Sequence, residues 1–353
     1  MSFTTAQIPD LSGRSVLITG GNSGLGLATA HALYARNANI TIACRSPQKG
    51  QDAVRAIKEK TLTSTGSVEL LNLDLSSVKS TVEAAEEYTR NHDKLDILFA
   101  NAGIAMEPYQ LSVDGYERQF ATNHLGHFAF ITTLLPLLQR TAAAKPEGDV
   151  RVIITSSEAH RFTYKVNNGI DFSAMRGEKR KPDVDPTSIW ELGDAFRRYG
   201  QSKLANILFT RELSRRLKSS HPNIYVNAIH PGAVATGLTS GGSAFIGPTL
   251  TKITNFLMGF LASSAEKGAL TQLWAATSEE IVARDYRGEY FIPVAKMGKT
   301  TEEAKNEELM RELWKWSEGA VEGVVGKRVG GHVHCSRRKY LRIPDRHRIP
   351  LWA

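Results

Sequence analysis

One stretch near the start of the chain decides the fold: Arg14-Ser15-Val16-Leu17-Ile18-Thr19-Gly20-Gly21-Asn22-Ser23-Gly24-Leu25-Gly26. Its first six residues are typical of a buried strand, and the Ala/Leu-rich run to about Arg36 predicts a helix after the glycines. A second strand is predicted over Asn39–Ala43. A strand, a glycine turn, a helix and a second strand in this order form the unit that binds dinucleotides.

In that setting three glycines have mechanical roles. Gly20 allows the tight turn, Gly24 lets the backbone approach a pyrophosphate, and Gly26 lets helix and strand pack closely. The helix N-terminus then presents free N–H groups and the positive end of its dipole to the phosphates. A glycine loop that binds no nucleotide is the alternative, and the surrounding strand–helix–strand pattern favours the nucleotide.

The residues after the second strand indicate which dinucleotide is bound. Enzymes that select NAD usually place an acidic residue about 20 residues beyond the glycines, at the ribose 2′-hydroxyl. No Asp or Glu occurs between Gly26 and Asp52, and Arg45 offers a guanidinium suited to a 2′-phosphate. We therefore predict NADP(H), with a solvated loop arginine as the alternative reading of Arg45.

The alternation of strands and helices continues along the chain. It predicts a doubly wound, mostly parallel seven-stranded sheet with helices on both faces, and ligand binding at the carboxyl ends of the strands. Further strands are predicted at 68–73, 95–99, 150–155, 225–229 and 288–292, and helices from Ser76, the predicted cap, to about 92 and at 111–139, 194–218, 263–278 and 300–318.

Tyr199 and Lys203 form the strongest candidate for acid–base chemistry. On a helix, a four-residue step puts both side chains on one face, one turn apart. A free phenol has a pKa of roughly 10, and a neighbouring ammonium is expected to lower that pKa toward neutrality. Taken alone, such a pair is common on ordinary helix surfaces.

Several motifs in order resemble the short-chain dehydrogenases/reductases, and the resemblance covers about residues 11–294. The run Tyr199–Leu217 resembles the retinol-dehydrogenase-like branch, and similar sequences occur among fungal reductases of secondary metabolism. The matching motifs are Thr19-Gly20-x-x-x-Gly24-x-Gly26, Asp74, Asn101-Ala102-Gly103, Asn123, Ser157, Tyr199-x-x-x-Lys203 and Pro231-Gly232.

The resemblance implies a Rossmann fold and a catalytic tetrad of Asn123, Ser157, Tyr199 and Lys203. Tyr199 would be the general acid in carbonyl reduction and the base in the reverse direction, and Lys203 would lower its pKa and hold the nicotinamide ribose. Ser157 would polarise the substrate carbonyl, and Asn123 would hold a water that links Lys203 to solvent. The chemistry agrees, because hydride arrival builds alkoxide charge that requires donors and a proton.

Two members of the tetrad also have plainer interpretations. Ser157 could cap backbone at a strand end, Asn123 could be a helix-interior amide, and Ser156 fits the family's serine position less well than Ser157.

The resemblance also implies the cofactor contacts. Asp74 would meet the adenine edge, with helix capping as its alternative, and Asn101 would meet the adenosine ribose. The Val234 backbone would bind the carboxamide, and Thr236 would lie near the phosphates, whereas His230 is expected to be a packed strand-end histidine. The predicted cofactor-binding set is Gly20, Asn22, Ser23, Gly24, Leu25, Gly26, Arg45, Lys49, Asp74, Asn101, Tyr199, Lys203, Val234 and Thr236.

Two segments bear on the substrate. Forty-one residues separate Ser157 from Tyr199, and this insert either lines a substrate entrance or is a solvated excursion. The segment at about 236–262 is where the family places its substrate lid, and its apolar run Phe256–Leu261 suggests a lipophilic retinoid, steroid, terpenoid or polyketide carbonyl. A core or dimer-packing helix is the equal alternative.

Charge and composition limit other functions. The chain has 353 residues and a net charge of +8, of which residues 332–353 carry +5, so basicity does not indicate a nucleic-acid-binding core. We find no signal peptide, no apolar run long enough for a bilayer and only two cysteines, and we expect a cytoplasmic protein. His332-x-His334-Cys335 has no partner pair, so no metal is predicted.

The sequence thus predicts one oxidoreductase domain over 1–320 and a basic, disordered tail over 321–353. We expect an NADP-dependent enzyme acting on CH–OH groups, which interconverts a lipophilic ketone or aldehyde with its alcohol in secondary metabolism. A catalytically idle dinucleotide-sensing regulator is the alternative, and an adaptor that uses the tail is a third hypothesis. The substrate, the direction, the stereochemistry and a homodimer or homotetramer are left open.

Overall fold

Eight strands form a single sheet in the computed structural model, which describes residues 3–145, 149–176, 188–234 and 263–329. The spatial order is β3-β2-β1-β4-β5-β6-β7-β8, and every neighbouring pair is parallel except β7 with β8. The strands are β1 Ser15–Thr19, β2 Asn39–Cys44, β3 Val68–Asn72, β4 Ile97–Ala100, β5 Val150–Thr155, β6 Ile224–Ile229, β7 Tyr290–Ile292 and β8 Lys296–Met297.

Helices cover both faces of this sheet, which explains why its central strands are apolar and buried on both sides. All six residues of β5 and all six of β6 are buried. The longer helices are α1 Gly24–Tyr34, α2 Pro47–Lys60, α3 Val78–Asn91, α4 Gly126–Ala143, α5 Ile189–Leu217, α6 Ala265–Thr277 and α7 Glu307–Val325. Residues of α3, α4 and α7 share one core cluster and residues of α1, α2 and α6 another, so the predicted doubly wound fold is confirmed.

The strand order reverses between β1 and β4, and this reversal positions the site. The chain leaves β1 toward β2 and β3, then crosses back to place β4 on the other side of β1. At such a switch point the two connecting loops diverge and leave a crevice at the carboxyl ends of the strands. Gly20 follows β1 and Asn101 follows β4, so both residues lie at this crevice.

Several elements differ from the predictions, and α5, which was predicted from residue 194, begins at Ile189. The helical run that leads into α4 begins at Arg118 and not at Leu111, because Gly115, with φ +80°, turns the chain back so that Leu111 bridges Glu117. Ser77, not Ser76, is the N-cap of α3, and its hydroxyl accepts the Ser80 N–H at 3.3 Å. The sheet also gains β8, an antiparallel edge strand of two residues beyond the seven predicted.

The last helix extends past the domain boundary predicted at residue 320. Asn306 caps α7 by accepting the N–H groups of Glu308 and Leu309, and Gly326 ends it with φ +68°, which favours glycine. Val321 is fully buried in the core, so this turn belongs to the domain. The predicted lid at 236–262 and the tail from residue 330 lie outside the described residues. Among the helices that are described, none combines the length and the apolar character needed to cross a bilayer.

Candidate active site

A cavity of about 490 Å³ opens at the carboxyl ends of the strands. This volume falls within the range of small-molecule sites in proteins. The predicted residues that line it are Gly20, Asn22, Ser23, Gly24, Leu25, Gly26, Arg45, Asp74, Asn101, Ser157, Tyr199, Lys203 and Val234. Lys49 is exposed on α2 and does not line the cavity, and Thr236 lies outside the described residues.

The glycine turn is packed too closely against its neighbours to accept side chains at Gly20 and Gly26. Gly20 has φ +67°, and a Cβ built there would lie 3.1 Å from the Cα of Ala102. A Cβ built on Gly26 would overlap with the carbonyl oxygen of Gly20. Ser23 is the N-cap of α1 but makes no capping bond with its side chain. The backbone of this turn therefore fits the close approach of a dinucleotide pyrophosphate at a helix N-terminus.

Thr19 fastens the end of β4 to this turn. Its buried hydroxyl accepts the N–H groups of Asn101 at 2.9 Å and Ala102 at 3.0 Å. The Asn101 side chain in turn donates to the Thr19 carbonyl oxygen at 2.9 Å. Asn101 thus both joins the two strands and lines the cavity where the ribose contact was predicted.

The two predicted contacts for the adenosine half of the cofactor lie at the ends of β2 and β3. Arg45 is exposed and lines the cavity directly after the buried Cys44. Asp74 also lines it, and its Oδ1 accepts the Ser76 N–H at 2.9 Å and hydroxyl at 2.7 Å. The Asp74 carboxylate therefore stabilises the turn before α3 without capping the helix, whose N-cap is Ser77, and it also lines the cavity.

Tyr199 and Lys203 lie on one face of α5, one turn apart, as their spacing predicted. Both line the cavity, although their side chains are largely enclosed, with residue exposures of 9% and 3%. The Lys203 Nζ lies 5.5 Å from the centre of the Tyr199 ring and donates to the Thr155 carbonyl oxygen at 3.1 Å.

The expected lowering of the phenol pKa is wrong for this structure. Burial raises the pKa of Tyr199 to about 12, and the neighbouring Ser157 hydroxyl offsets only part of that effect. Burial also lowers the pKa of Lys203 to about 8, because desolvation disfavours the ammonium. The ammonium contacts a backbone carbonyl and not the phenol oxygen, so it does not overcome the desolvation of Tyr199. At neutral pH the phenol is protonated and can donate its proton.

The two serines after β5 have different roles. Ser156 is 1% exposed, and its hydroxyl donates to the Lys203 carbonyl oxygen at 2.8 Å, which fixes α5 to the sheet. Ser157 begins the turn Glu158–Arg161 and accepts the Ala159 N–H at 3.2 Å. The Ser157 side chain also lies close enough to Tyr199 to lower the pKa of the phenol, so it combines the capping role with a place beside the phenol.

Asn123 lies in a π-helical turn, Ala121–Leu125, within the run that leads into α4. Its side chain donates to the Ile104 carbonyl at 2.9 Å and to the Ser202 hydroxyl at 3.0 Å, and accepts the Ile104 N–H at 2.8 Å. A Cβ built on Gly103 would lie 3.1 Å from Asn123 Oδ1 and 3.4 Å from Lys203 Nζ. Asn123 therefore lies behind the cavity wall, close to Lys203 and not in the cavity itself.

Sequence reasoning missed four polar residues that line the cavity. Glu107 and Arg118 form an ion pair at 2.9 Å, which depends on a loop conformation that no motif indicated. The hydroxyls of Thr122 and Thr155 are buried and have no hydrogen-bond partner among the described residues. Thr155 ends β5, so its position at a strand end was the signal that could have identified it.

Apolar side chains surround the outer side of Tyr199. Ala105 and Ala159 pack against its ring, with Met106 and Phe196 partly buried beside them. Phe162 is 56% exposed, and its ring packs against that of Phe196 at 5.5 Å between centroids. We call Met106, Phe162 and Phe196 the apolar rim.

Known proteins are similar in sequence to most of this chain. A family model described as short chain dehydrogenase matches residues 14–170. The chain is 37% identical over 317 residues to a short-chain dehydrogenase/reductase of Armillaria gallica, covering 90% of this chain and 93% of the relative. It is also 37% identical over 313 residues to retinol dehydrogenase 13 of Homo sapiens, covering 88% of this chain and 84% of that relative.

Among solved structures, the Pseudomonas aeruginosa RhlG/NADP active-site complex superposes with a TM-score of 0.56 at 25% identity, covering 81% of this chain and 96% of that chain. The sequence relatives therefore indicate the family, and the solved structure agrees with it in fold. The chain belongs to the short-chain dehydrogenase/reductase family of oxidoreductases, in its retinol-dehydrogenase-like branch.

Proposed function

We propose that this oxidoreductase uses NADP(H) to reduce a lipophilic ketone or aldehyde to its alcohol. The observation that carries the proposal is the protonated phenol of Tyr199 at the wall of a cavity whose other end has the form of a dinucleotide site. A phenol with a pKa of about 12 keeps its proton at neutral pH, so it has a proton to donate when a carbonyl oxygen gains negative charge beside it.

Each residue of the tetrad then has its own role in the reduction. Tyr199 donates its proton to the carbonyl oxygen, and Ser157, which lies beside the phenol, holds that oxygen as negative charge develops. Lys203, charged at pH 7, places a cation in the buried wall beside the phenol, and Asn123 holds the turn that adjoins Lys203. Asn123 also holds a water molecule that supplies protons to Lys203. The bound nicotinamide supplies the hydride.

The cofactor preference rests on Arg45. Its guanidinium lines the cavity next to β2 and, among the described residues, forms no hydrogen bond or ion pair. A planar guanidinium is well suited to a phosphate. The RhlG structure contains NADP, which agrees with this preference in a protein of the same fold.

The substrate class rests on the apolar rim. The small side chains of Ala105 and Ala159 pack beside the phenol, and the larger apolar side chains of Met106 and Phe196 pack against the same cluster. An exposed phenylalanine gains stabilisation when an apolar ligand covers it. We therefore propose a substrate with an extended apolar part, in line with the lipophilic carbonyls suggested by the sequence.

A screen of NADPH oxidation against carbonyls graded by size and polarity tests the proposal. We expect turnover that improves with the apolar length of the substrate and favours NADPH over NADH. Tight NADPH binding without turnover of any carbonyl would support the idle dinucleotide sensor instead. A role in secondary metabolism and a cytoplasmic location are further proposals, testable by gene disruption with metabolite profiling and by cell fractionation.

The variant Phe162→Ala tests the apolar rim directly. It removes most of an exposed ring, so we expect KM for a long apolar ketone to rise about 3- to 30-fold, while kcat with a short ketone changes little. Leu62→Ala is the matched control, because Leu62 is 86% exposed and lies in the turn between α2 and β3, at the opposite end of the strands from the cavity. Equal effects of Phe162→Ala on short and long ketones would contradict a rim that contacts the substrate.

A further inference from the structure

His127 connects the two halves of the site, although no motif assigns it a role. It lies in α4 with 1% exposure, four residues after Asn123. Its Nδ1 lies 3.0 Å from the Asn123 carbonyl oxygen, and its Nε2 lies 2.9 Å from the Thr19 hydroxyl. One imidazole therefore bridges the π-helical turn near Lys203 and the strand end that holds the glycine turn.

These partners determine the protonation state of the ring. A carbonyl oxygen only accepts, so Nδ1 must carry a proton. In the neutral ring Nε2 is then an acceptor and receives the Thr19 hydroxyl proton. Thr19 has this proton available because its oxygen already accepts two backbone N–H groups, and the Phe99 carbonyl is a longer alternative at 3.3 Å. Burial lowers the pKa of His127 to about 4, which agrees with a neutral ring.

The hydrogen bonds beyond His127 continue in the same direction. The Asn123 side chain donates to the Ser202 hydroxyl at 3.0 Å, and that hydroxyl donates to the Tyr199 carbonyl oxygen at 2.7 Å. At the other end, the Asn101 and Ala102 N–H groups donate to Thr19. Every donor in this series points toward the catalytic helix. The series consists of two relays that meet at Asn123, whose backbone carbonyl accepts from His127 and whose side-chain amide donates to Ser202.

We propose that His127 is a positioning residue that holds the dinucleotide-binding edge and the Tyr199 helix turn in one register, through a hydrogen-bond chain of fixed direction. The chain runs from Asn101 and Ala102 through Thr19, His127, Asn123 and Ser202 to the Tyr199 backbone. This inference rests on the proposed function only in assigning a catalytic purpose to the register that the chain maintains.

The first test reads the tautomer without any turnover. In protein labelled with ring-¹⁵N histidine, the His127 signals are identified among those of the ten histidines by their loss in His127→Phe. We expect a protonated Nδ1 and an unprotonated Nε2 at pH 7. If His127→Phe does not fold, Thr19→Val identifies the same ring by shifting its Nε2 signal. A ring protonated at Nε2, or at both nitrogens, would overturn the proposal.

The second test measures whether the two ends of the chain are coupled through His127. Thr19→Val removes the hydroxyl at one end and Ser202→Ala the hydroxyl at the other. We expect their combined effect on kcat to differ from the product of the single effects by about threefold or more, as for groups in one network. In a His127→Phe background we expect the combined effect on kcat to equal the product of the two single effects.

His124→Phe is the matched control for this cycle. His124 is equally buried in the same helical run, but its Nε2 contacts Ser317 at 3.0 Å, and its neighbours include the rings of Phe120 and Phe128. We expect this variant to leave the coupling intact. If no carbonyl is turned over, which would reject the proposed function, the same cycle is read from NADPH affinity by fluorescence. Multiplicative effects in the parent protein, or coupling that survives His127→Phe, would reject the inference.

Discussion

Single side chains decide whether this cavity can transfer a proton. Burial acts on Tyr199 and Lys203 in opposite directions, raising the pKa of the phenol and lowering that of the amine. Both changes favour the uncharged form of each group, as expected where water is excluded. In the proposed reduction, the phenol therefore holds its proton until a carbonyl oxygen gains negative charge beside it.

Removal of that acid gives the most direct prediction for a residue. In Tyr199→Phe the ring remains but the proton is lost, so we expect kcat for carbonyl reduction to fall by about 10²- to 10⁴-fold. NADPH affinity, measured by fluorescence titration, should stay within a few-fold of the parent value. Tyr116→Phe is the control, because Tyr116 is buried in the core and its hydroxyl contacts the Ala320 carbonyl oxygen. Robust turnover by Tyr199→Phe would show that another group is the acid.

Arg45 gives a second prediction at the same scale. In Arg45→Asp a carboxylate replaces the guanidinium, so a 2′-phosphate is repelled and a 2′-hydroxyl gains an acceptor. We expect the ratio of kcat/KM for NADPH over NADH to fall by about 10- to 100-fold, as for the loss of a charge-assisted hydrogen bond. Arg55→Asp makes the same charge change on the exposed face of α2, outside the cavity. An unchanged ratio in Arg45→Asp would reject the phosphate contact.

Among the structural elements, α5 and the turn Glu158–Arg161 depend on each other at one glycine. A Cβ built on Gly200 would overlap with the Phe162 carbonyl oxygen and lie 2.6 Å from that of Ala159. The turn that follows Ser157 therefore packs directly on the helix next to Tyr199. This contact places Ser157 and Phe162 relative to the phenol.

Alanine at this position should separate the two elements. We expect Gly200→Ala to destabilise the fold by about 1–3 kcal/mol, as overpacking does, and to reduce turnover by displacing Ser157. Gly193→Ala is the control on the same helix, because nothing lies within 4 Å of its added Cβ. It should be neutral or stabilise by up to about 1 kcal/mol. Thermal unfolding and kcat measure both variants, and similar behaviour of the two would contradict the packing argument.

The sequence predicted those parts of the elements that follow from local patterns. The glycine turn, the buried strands and the one-turn step from Tyr199 to Lys203 depend on periodicity and glycine placement, and the structure brings them together as predicted. The phenol pKa depends on how deeply α5 is buried, and the Glu107–Arg118 pair depends on a loop path. Such tertiary effects leave no local signal, which is why the start of the run into α4 was also misplaced.

At the scale of the whole molecule, α7 completes the core on the α3–α4 side of the sheet. Trp314 and Val321 are buried there, and Lys327 pairs with Glu86 of α3 at 2.7 Å. The folded unit consequently includes residues up to at least Val329, which packs against the same core.

Two truncations test this boundary. A chain that ends at residue 329 should keep the melting temperature and the activity of the full protein. A chain that ends at residue 320 loses the buried Val321 and should lose on the order of 2–3 kcal/mol or more of stability. Calorimetry measures both, and equal melting temperatures would place the boundary where the sequence suggested it. If the chain that ends at residue 329 keeps its melting temperature but loses activity, that loss would assign a role to the basic tail.

The short strand β8 limits how these molecules can associate. It is two residues long, runs against its neighbour and carries the exposed Lys296, so it offers very few unpaired backbone groups to an incoming strand. Natural proteins use such short, charged edge strands to prevent the sheets of two molecules from pairing edge to edge. Concentrated protein should therefore resist growth into a continuous intermolecular sheet at this edge.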